Sequence, residues 1–259
     1  MLYYKTITKK EHDDWVVMVH GAGCSMEVWY RQVADFSRHF NILLVDLAGH
    51  GETGYCSEAF GEDFNFYKAA DQVLEVVDYL KIRSCHFMGL SMGTIIVRII
   101  AEEKPQRVKS MILAGAVTEV GIKLKWIIRL TKIFKRVVPY SFIKSCFGRI
   151  VNPRGKYKTS MNVFIGTINK LSFVSFITWL KLVDGLNFFV KNLFSKNTPI
   201  PTLYIMGDED YLFLPQVRNT VRHYGGYASL VVVPEAGHIC NVDNGKIFNN
   251  EVLLFLRSI

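Results

Sequence analysis

A serine enclosed by glycines is the clearest candidate for chemistry in this chain. The segment Gly89-Leu90-Ser91-Met92-Gly93 follows the apolar run Cys85 to Leu90 and opens a stretch with helical periodicity. On such a strand-to-helix turn the glycines remove Cβ clashes, and the serine is held exposed above the carboxyl edge of a sheet. This context predicts that Ser91 is a nucleophile; the alternative is an ordinary turn with an incidental serine.

Two glycine-containing turns further along the chain carry acids and a histidine. Asp208, Glu209 and Asp210 end one apolar run, and Glu235-Ala236-Gly237-His238 ends the next. The order serine, acid, histidine suits a catalytic triad, because open parallel sheets gather their sites at the carboxyl ends of strands. We expect His238 to be the general base and Asp210 to orient it, with Asp208 as the alternative acid.

The backbone amides of Ala22 and Met92 are the expected oxyanion hole. Ala22 lies in the segment His20-Gly21-Ala22-Gly23, which follows an apolar run, and Met92 directly follows the serine. Glycines allow backbone N–H groups to approach a ligand closely, and each donor of this type contributes about 3 to 4 kcal/mol in the transition state. We interpret His20 and His86 as structural, and Asp46-Leu47-Ala48-Gly49-His50-Gly51 as a conformationally demanding turn.

Apolar runs rich in β-branched residues alternate with stretches of helical periodicity along most of the chain. This alternation predicts an α/β fold with a mostly parallel central sheet and helices on both faces. The predicted strands are 15–20, 41–46, 85–90, 108–114, 202–206 and 229–233, and helices are predicted at 66–80, 94–102 and 247–256.

The alternation stops after Val117 and resumes only after Pro201, which predicts a helical insertion. One amphipathic helix is expected over 125–138, with Lys125, Arg129, Lys132 and Arg136 on its polar face. A second helical stretch is expected over about 161–194, with breaks near Gly166 and Gly185. The predicted division is therefore a core of residues 1–117 and 199–259 with a helical cap, or lid, of residues 118–198.

With these segments in place, the chain resembles the α/β-hydrolase superfamily. The segments HGAG, DLAGHG, GLSMG, GDED and AGH follow that superfamily's order, and the resemblance covers about residues 1–117 and 199–259. It implies an α/β-hydrolase fold and an acyl-enzyme mechanism with Ser91, His238 and Asp210, and it implies no cofactor and no metal. One departure is that a single strand near 2–7 precedes the HGAG strand, so we expect a trimmed sheet edge.

The resemblance leaves the substrate open. The leading expectation is a serine esterase of the carboxylesterase type, acting on a small-molecule ester with an apolar acyl or alcohol group. The alternatives are a hydrolase of C–C bonds or lactones in an anionic metabolite, and a ligand-binding protein of the same fold. A serine at the elbow disfavours haloalkane dehalogenase and epoxide hydrolase chemistry, which in that superfamily uses an aspartate there.

The net charge of +8 is concentrated in the predicted lid. Residues 118–198 contain 15 Lys and Arg against two acidic residues, whereas the remainder contains 16 basic and 21 acidic residues. Without a nucleic-acid-binding motif, this asymmetry disfavours a nucleic-acid partner. It allows three interpretations: a solvated face, steering of an anionic substrate, or peripheral contact with an anionic membrane.

Other features of the chain point to a single intracellular domain. At 259 residues it is long enough for one large core, no apolar run is long enough to span a membrane, and the start does not read as a signal peptide. Its five cysteines are an odd number without metal-ligand spacing, so we expect reduced thiols. The expected location is cytoplasmic, and the oligomeric state stays open.

Overall fold

A twisted seven-stranded sheet forms the centre of the computed structural model. The structure describes residues 1–9, 12–54, 60–61, 63–121, 148, 152, 155–183, 185–223 and 226–259. The strands are β1 (Tyr3–Ile7), β2 (Trp15–Val19), β3 (Asn41–Asp46), β4 (Cys85–Leu90), β5 (Val108–Ala114), β6 (Thr202–Gly207) and β7 (Ala228–Val233). Their order is β1-β3-β2-β4-β5-β6-β7. Strand β1 is antiparallel to β3 at one edge, and every other neighbouring pair is parallel.

Helices cover both faces of this sheet. Before β6 the helices are α1 (Tyr30–Phe36), α2 (Phe66–Tyr79), α3 (Met92–Glu103), α4 (Lys158–Ile168), α5 (Phe173–Lys181) and α6 (Leu186–Ser195). After β6 they are α7 (Leu214–His223), α8 (Cys240–Asp243) and α9 (Gly245–Arg257). These elements confirm the α/β-hydrolase fold class, including the single strand at the β1 edge.

Alternation along the strands divides the core into two apolar layers. In β2, Val17 and Val19 pack with α2 and α3 on one face, whereas Val16 and Met18 pack with α1 and α9 on the other. Successive side chains of a strand point to opposite faces, so a strand covered on both sides is apolar throughout. This is why the predicted strands agree closely with the observed ones.

The helices after β5 differ in part from expectation. The predicted break near Gly166 is wrong, because Gly166 lies on the exposed side of α4. An interior glycine costs a helix about 1 kcal/mol, which burial of neighbouring side chains such as Phe164 offsets. The chain breaks instead between α4 and α5, where the Ser172 hydroxyl accepts a hydrogen bond from the Ser175 N–H, and again at Gly185, as predicted.

The basic amphipathic helix predicted over 125–138 lies outside the described residues. Among the residues that are described, no single helix is both long and apolar enough to cross a membrane. Helices α4 and α5 pass that test only as a pair, across a bend of 105°.

Candidate active site

Ser91 occupies the sharp turn between β4 and α3. Its φ of 51° and ψ of −116° are a strained conformation for a residue with a side chain. The turn requires glycine on both sides: a Cβ on Gly89 would lie 2.6 Å from the Gly93 carbonyl oxygen, and one on Gly93 would lie 2.3 Å from the Val19 carbonyl oxygen. The Ser91 N–H donates to the Ala114 carbonyl oxygen at 2.8 Å, which anchors the turn to β5.

The turns after β4, β6 and β7 bring three polar side chains together. The Nε2 atom of His238 lies 2.8 Å from the Ser91 hydroxyl oxygen, and its Nδ1 lies 2.7 Å from Oδ2 of Asp210. A carboxylate can only accept, so Nδ1 carries the proton and Nε2 is free to accept from the serine hydroxyl. The other Asp210 oxygen, Oδ1, accepts from the Phe213 N–H at 3.2 Å. This arrangement has the geometry of a nucleophile, a base and an orienting acid.

The two neighbouring acids make different contacts. Asp208 is exposed, and its Oδ1 accepts from the Ala236 N–H at 3.1 Å. Glu209 pairs with the Lys156 ammonium group at 2.7 Å. Within the described residues, Asp210 is therefore the one acid of this turn that contacts His238.

A four-residue turn from Gly21 to Cys24 faces the serine. It is closed by a hydrogen bond from the Cys24 N–H to the Gly21 carbonyl oxygen, at 3.2 Å. Ala22 in this turn and Met92 both line the cavity that contains Ser91. Met92 is the first residue of α3, so its N–H has no carbonyl partner within the helix and lies at the positive end of the helix dipole.

Three buried histidines outside the Ser91–His238–Asp210 cluster are held by local hydrogen bonds. His20 Nδ1 contacts the Gly21 carbonyl oxygen at 2.8 Å, and Nε2 accepts from the Leu47 N–H at 3.0 Å. His86 Nδ1 contacts the Ser110 hydroxyl at 2.8 Å, at the opposite end of β4 from Ser91. The structural interpretation of His20 and His86 agrees with these contacts. His50 does more than close a turn, because its Nε2 accepts from the Gly23 N–H at 3.1 Å.

A cavity of about 170 Å³ opens beside Ser91. Its lining combines the Ser91 and Gly21–Cys24 turns, residues of α2, α3, α4, α5 and α6, and the loops after β5 and α5. The polar side chains at its wall are few, and of the described residues that line it none is charged. Its apolar wall includes Phe66, Ile95, Val117, Val120, Phe164, Ile168, Leu171, Phe176, Leu180, Val183, Leu186 and Phe213.

A family model described as the α/β-hydrolase fold matches residues 14–134, which include the Gly21–Cys24 turn and Ser91. Among solved structures, a hydrolase from Pseudomonas aeruginosa PA01 superposes with a TM-score of 0.83 over 98% of this chain and 94% of its own, at 24% identity. The chain has the α/β-hydrolase fold.

Curated relatives of this α/β-hydrolase-fold protein carry different activities in their names. An (E)-2-((N-methylformamido)methylene)succinate hydrolase from Acinetobacter baylyi is 30% identical over 102 residues, which cover 39% of this chain and 37% of that protein. The uncharacterized carboxylesterase nap from Bacillus subtilis is 22% identical over 258 residues, covering 94% of this chain and 79% of its own. The relatives named here are hydrolases, but their names do not share one substrate.

Three cysteines of this α/β-hydrolase-fold protein lie among the described residues, and burial raises the pKa of each thiol. Cys24, Cys85 and Cys240 are buried and unpaired by disulfides. Burial raises the pKa of the Cys24 thiol and of the Cys85 thiol to about 12 each, so both stay protonated at neutral pH. Cys24 lines the cavity, and no cluster of metal-ligating side chains occurs in the part of the chain that the structure describes.

We expect the buried histidines to make folding stability depend on pH. Burial lowers the pKa of His20 and of His86 from 6.5 to about 4, and that of His50 to about 3. Because these folded-state values lie below the unfolded-state value, the unfolded chain takes up protons first, and stability falls as pH drops from about 6.5 toward 4. Each ring contributes a slope of up to about 1.4 kcal/mol per pH unit. Burial raises the pKa of the Asp46 and Asp243 carboxyl groups, which opposes this trend.

Urea unfolding at a series of pH values between 8 and 5 measures this dependence. The variant His86→Asn removes one titrating ring far from Ser91. The number of protons taken up on unfolding should fall by up to one, so the unfolding free energy should depend less steeply on pH. An unfolding free energy that stays constant over this range in the wild-type chain would contradict the expectation.

Proposed function

We propose that this protein is a serine hydrolase that cleaves carboxylic esters with an apolar acyl or alcohol group. In this proposal Ser91 is the nucleophile, His238 the general base and Asp210 the acid that orients it. The backbone N–H groups of Ala22 and Met92 hold the oxyanion. The observation that carries the proposal is the chain of hydrogen bonds from Ser91 through His238 to Asp210, which opens onto an apolar cavity.

The proposed reaction proceeds through an acyl-enzyme. His238 Nε2 takes the proton of the Ser91 hydroxyl as the serine oxygen attacks the ester carbonyl carbon, and the carbonyl oxygen becomes an oxyanion. The tetrahedral intermediate then expels the alcohol, which receives the proton from His238. Water attacks the acyl-enzyme by the same route, giving up a proton to His238 and releasing the carboxylic acid and the Ser91 hydroxyl.

The chemistry of the cavity wall favours an apolar substrate group. Burial of apolar surface contributes about 25 cal/mol per Å², so the aliphatic and aromatic side chains of α4, α5 and α6 would bind an alkyl or aryl group. A carboxylate beneath them would lose its hydration without gaining a cation from the described lining, which is costly. The same wall lacks a described charged group that would bind an anionic metabolite.

An anionic substrate is the second candidate. The similarity to the (E)-2-((N-methylformamido)methylene)succinate hydrolase of Acinetobacter baylyi favours it, although that match covers 37% of the relative. Binding of an anionic substrate would need a Lys or Arg close to Ser91 from outside the described residues. A ligand-binding protein of this fold is a weaker candidate, because binding alone does not require a serine, a histidine and an acid in hydrogen-bond contact.

Activity on two sets of substrates separates the candidates. We expect kcat/KM for p-nitrophenyl esters to rise with acyl chain length until the cavity is filled, with anionic lactones turned over far more slowly. Each buried methylene should contribute about 0.8 kcal/mol to transition-state binding, or roughly a fourfold increase in kcat/KM. Faster turnover of the anionic lactones would favour the second candidate, and inactivity on both sets alongside tight ligand binding would favour a binding protein.

The proposed lid comprises residues 118–198. Helices α4, α5 and α6 of this segment contribute side chains to the cavity wall, and the Trp179 indole N–H donates to the Ala48 carbonyl oxygen at 2.9 Å. The lid therefore sets the shape of the site in this proposal. Contact of its basic face with an anionic membrane stays a prediction, because the residues on which it depends, Lys125, Arg129, Lys132 and Arg136, lie outside the described residues.

A further inference from the structure

His50 is a buried histidine whose two ring nitrogens have different partners. Nδ1 lies 3.1 Å from the Ala48 carbonyl oxygen, and Nε2 accepts from the Gly23 N–H at 3.1 Å. A carbonyl oxygen can only accept and an amide N–H can only donate, so the proton is on Nδ1 and the lone pair is on Nε2. His50 is 2% exposed, and burial together with His20 lowers its pKa to about 3, which keeps the ring neutral. The ring therefore acts as a fixed acceptor for one particular amide.

That amide belongs to the central peptide of the Gly21–Cys24 turn. Gly23 has a φ of +73°, and the turn is closed by the bond from the Cys24 N–H to the Gly21 carbonyl oxygen. The plane of a central peptide in a four-residue turn can flip, which exchanges the directions of its N–H and its C=O. A hydrogen bond from the Gly23 N–H to a fixed acceptor opposes this flip. His50 thus holds the turn that carries Ala22, the proposed oxyanion donor.

The lid contacts His50 and its hydrogen-bond partner, the Ala48 carbonyl oxygen. The Trp179 indole N–H, from α5, donates to the Ala48 carbonyl oxygen at 2.9 Å, so this one oxygen accepts from Trp179 and from His50. The Trp179 and His50 rings meet edge-on, with centroids 5.6 Å apart. Gly23 is also packed against α4, because a Cβ there would lie 3.0 Å from Ile168 Cδ1. Two of the lid helices, α4 and α5, therefore contact the residues that hold the turn.

We propose that His50 is a positioning residue for the oxyanion hole and that Trp179 couples the seating of α5 to it. With α5 seated, the Ala48 oxygen and the His50 ring are fixed, and the Ala22–Gly23 peptide keeps its N–H directed at His50. This holds the turn in one conformation, and with it the preceding Gly21–Ala22 peptide, which carries the Ala22 N–H. This inference rests on the proposed function, since it requires a reaction in which an oxyanion forms beside Ala22.

Substitution of His50 by asparagine or glutamine tests its two ring nitrogens separately. Asparagine places an amide nitrogen near the position of Nδ1, so His50→Asn keeps the bond to Ala48 and loses the acceptor for Gly23. Glutamine reaches the position of Nε2, so His50→Gln restores that acceptor. We expect kcat on a p-nitrophenyl ester to fall roughly 10- to 100-fold in His50→Asn, as for a small misplacement of a catalytic donor, with KM little changed. His50→Gln should recover most of this loss.

The control is His86→Asn, which changes another buried histidine at the far end of β4. It should leave kcat close to the wild-type value, with thermal unfolding measured for every variant. If His50→Asn and His86→Asn have the same kcat, or if His50→Gln is no better than His50→Asn, His50 is a structural residue only and the inference is wrong.

Trp179→Phe tests the coupling to the lid and decides the matter if the His50 variants do not fold. Phenylalanine keeps a six-membered aromatic ring and loses the five-membered ring with the N–H that binds Ala48, a loss of volume that the control variant shares. We expect a several-fold loss of kcat that increases with the bulk of the acyl group. Trp29→Phe is the matched control, because Trp29 is fully buried and its indole nitrogen has no hydrogen-bond partner in the described structure. Equal kcat in the two Trp variants would overturn the coupling.

Covalent labelling by a fluorophosphonate distinguishes failure of the proposed function from failure of the proposed role of His50. A wild-type chain that neither hydrolyses esters nor is labelled at Ser91 would overturn the proposed function, and the role of His50 with it. A wild-type chain that is active and labelled, with His50→Asn equally active, would overturn the role of His50 alone.

Discussion

Replacing Ser91 with alanine should abolish covalent labelling by a fluorophosphonate and lower ester turnover by roughly 10⁴ to 10⁶. The probe phosphonylates an activated serine with loss of fluoride, and Ser91 is the serine whose hydroxyl lies 2.8 Å from His238 Nε2. Without the hydroxyl no acyl-enzyme forms, and the remaining rate comes from binding and from the oxyanion donors. Mass spectrometry of the labelled peptide, beside steady-state kinetics, measures both effects.

Ser110→Ala is the matched control for this prediction. The Ser110 hydroxyl also contacts a buried histidine nitrogen, His86 Nδ1 at 2.8 Å, but this pair lies away from the cavity. The Ser110→Ala variant should retain labelling and turnover close to those of the wild-type chain. If labelling survives in Ser91→Ala, or if the folded wild-type chain is never labelled, Ser91 is not the nucleophile.

Replacing Asp210 with asparagine should lower turnover by about 10⁴ with the fold retained. Asp210 uses both carboxylate oxygens, one for the His238 Nδ1–H and one for the Phe213 N–H. An amide has a single oxygen, so its NH₂ group must face one of these two donors. If it faces Nδ1, the imidazole adopts the opposite tautomer and can no longer accept the Ser91 proton. In either orientation the negative charge that stabilises the imidazolium is lost.

Asp208→Asn supplies the comparison two residues away. Asp208 uses one oxygen, which accepts from the Ala236 N–H, and its second oxygen has no hydrogen-bond partner among the described residues. Asparagine can keep that bond, so turnover should fall far less than in Asp210→Asn. Circular dichroism and thermal unfolding establish that both variants are folded. The reverse ranking of the two variants would transfer the orienting role to Asp208.

The strands and the turns of the candidate site could be predicted because each depends on residues that are adjacent in the sequence. Strands covered on both faces are mostly apolar, and all six residues of β4 are buried, with His86 as the one polar side chain. The turns that carry Ser91, Asp210 and His238 follow such strands directly, so their order along the chain already indicates a shared crevice.

Other elements have little local signature. Helix α7 buries only Leu214 and Val217, which is too few apolar positions to show a helical period. Helix α1 is seven residues long, which is too short for its sequence to show a clear helical period. The break between α4 and α5 depends on the cap at Ser172 rather than on Gly166, where composition alone places it.

The role of His50 depends on contacts that no local pattern contains. Its acceptor bond joins it to Gly23, 27 residues earlier, and the Ala48 oxygen is shared with Trp179, 131 residues later. A glycine-rich turn with a histidine indicates only a backbone conformation that requires glycine. The distinction between Asp210 and Asp208 likewise needed coordinates, because both follow β6 within three residues.

The position of β7 beyond β6 in the sheet has a consequence for how the polypeptide matures. Ser91 and His238 are 147 residues apart, so a chain growing from its N-terminus contains the serine long before the histidine is synthesised. Until β6 and β7 are added to the edge at β5, the Ser91 hydroxyl lacks the histidine that is its proposed base. Under the proposed function, the growing polypeptide therefore cannot use Ser91 as a nucleophile until its final strands are in place.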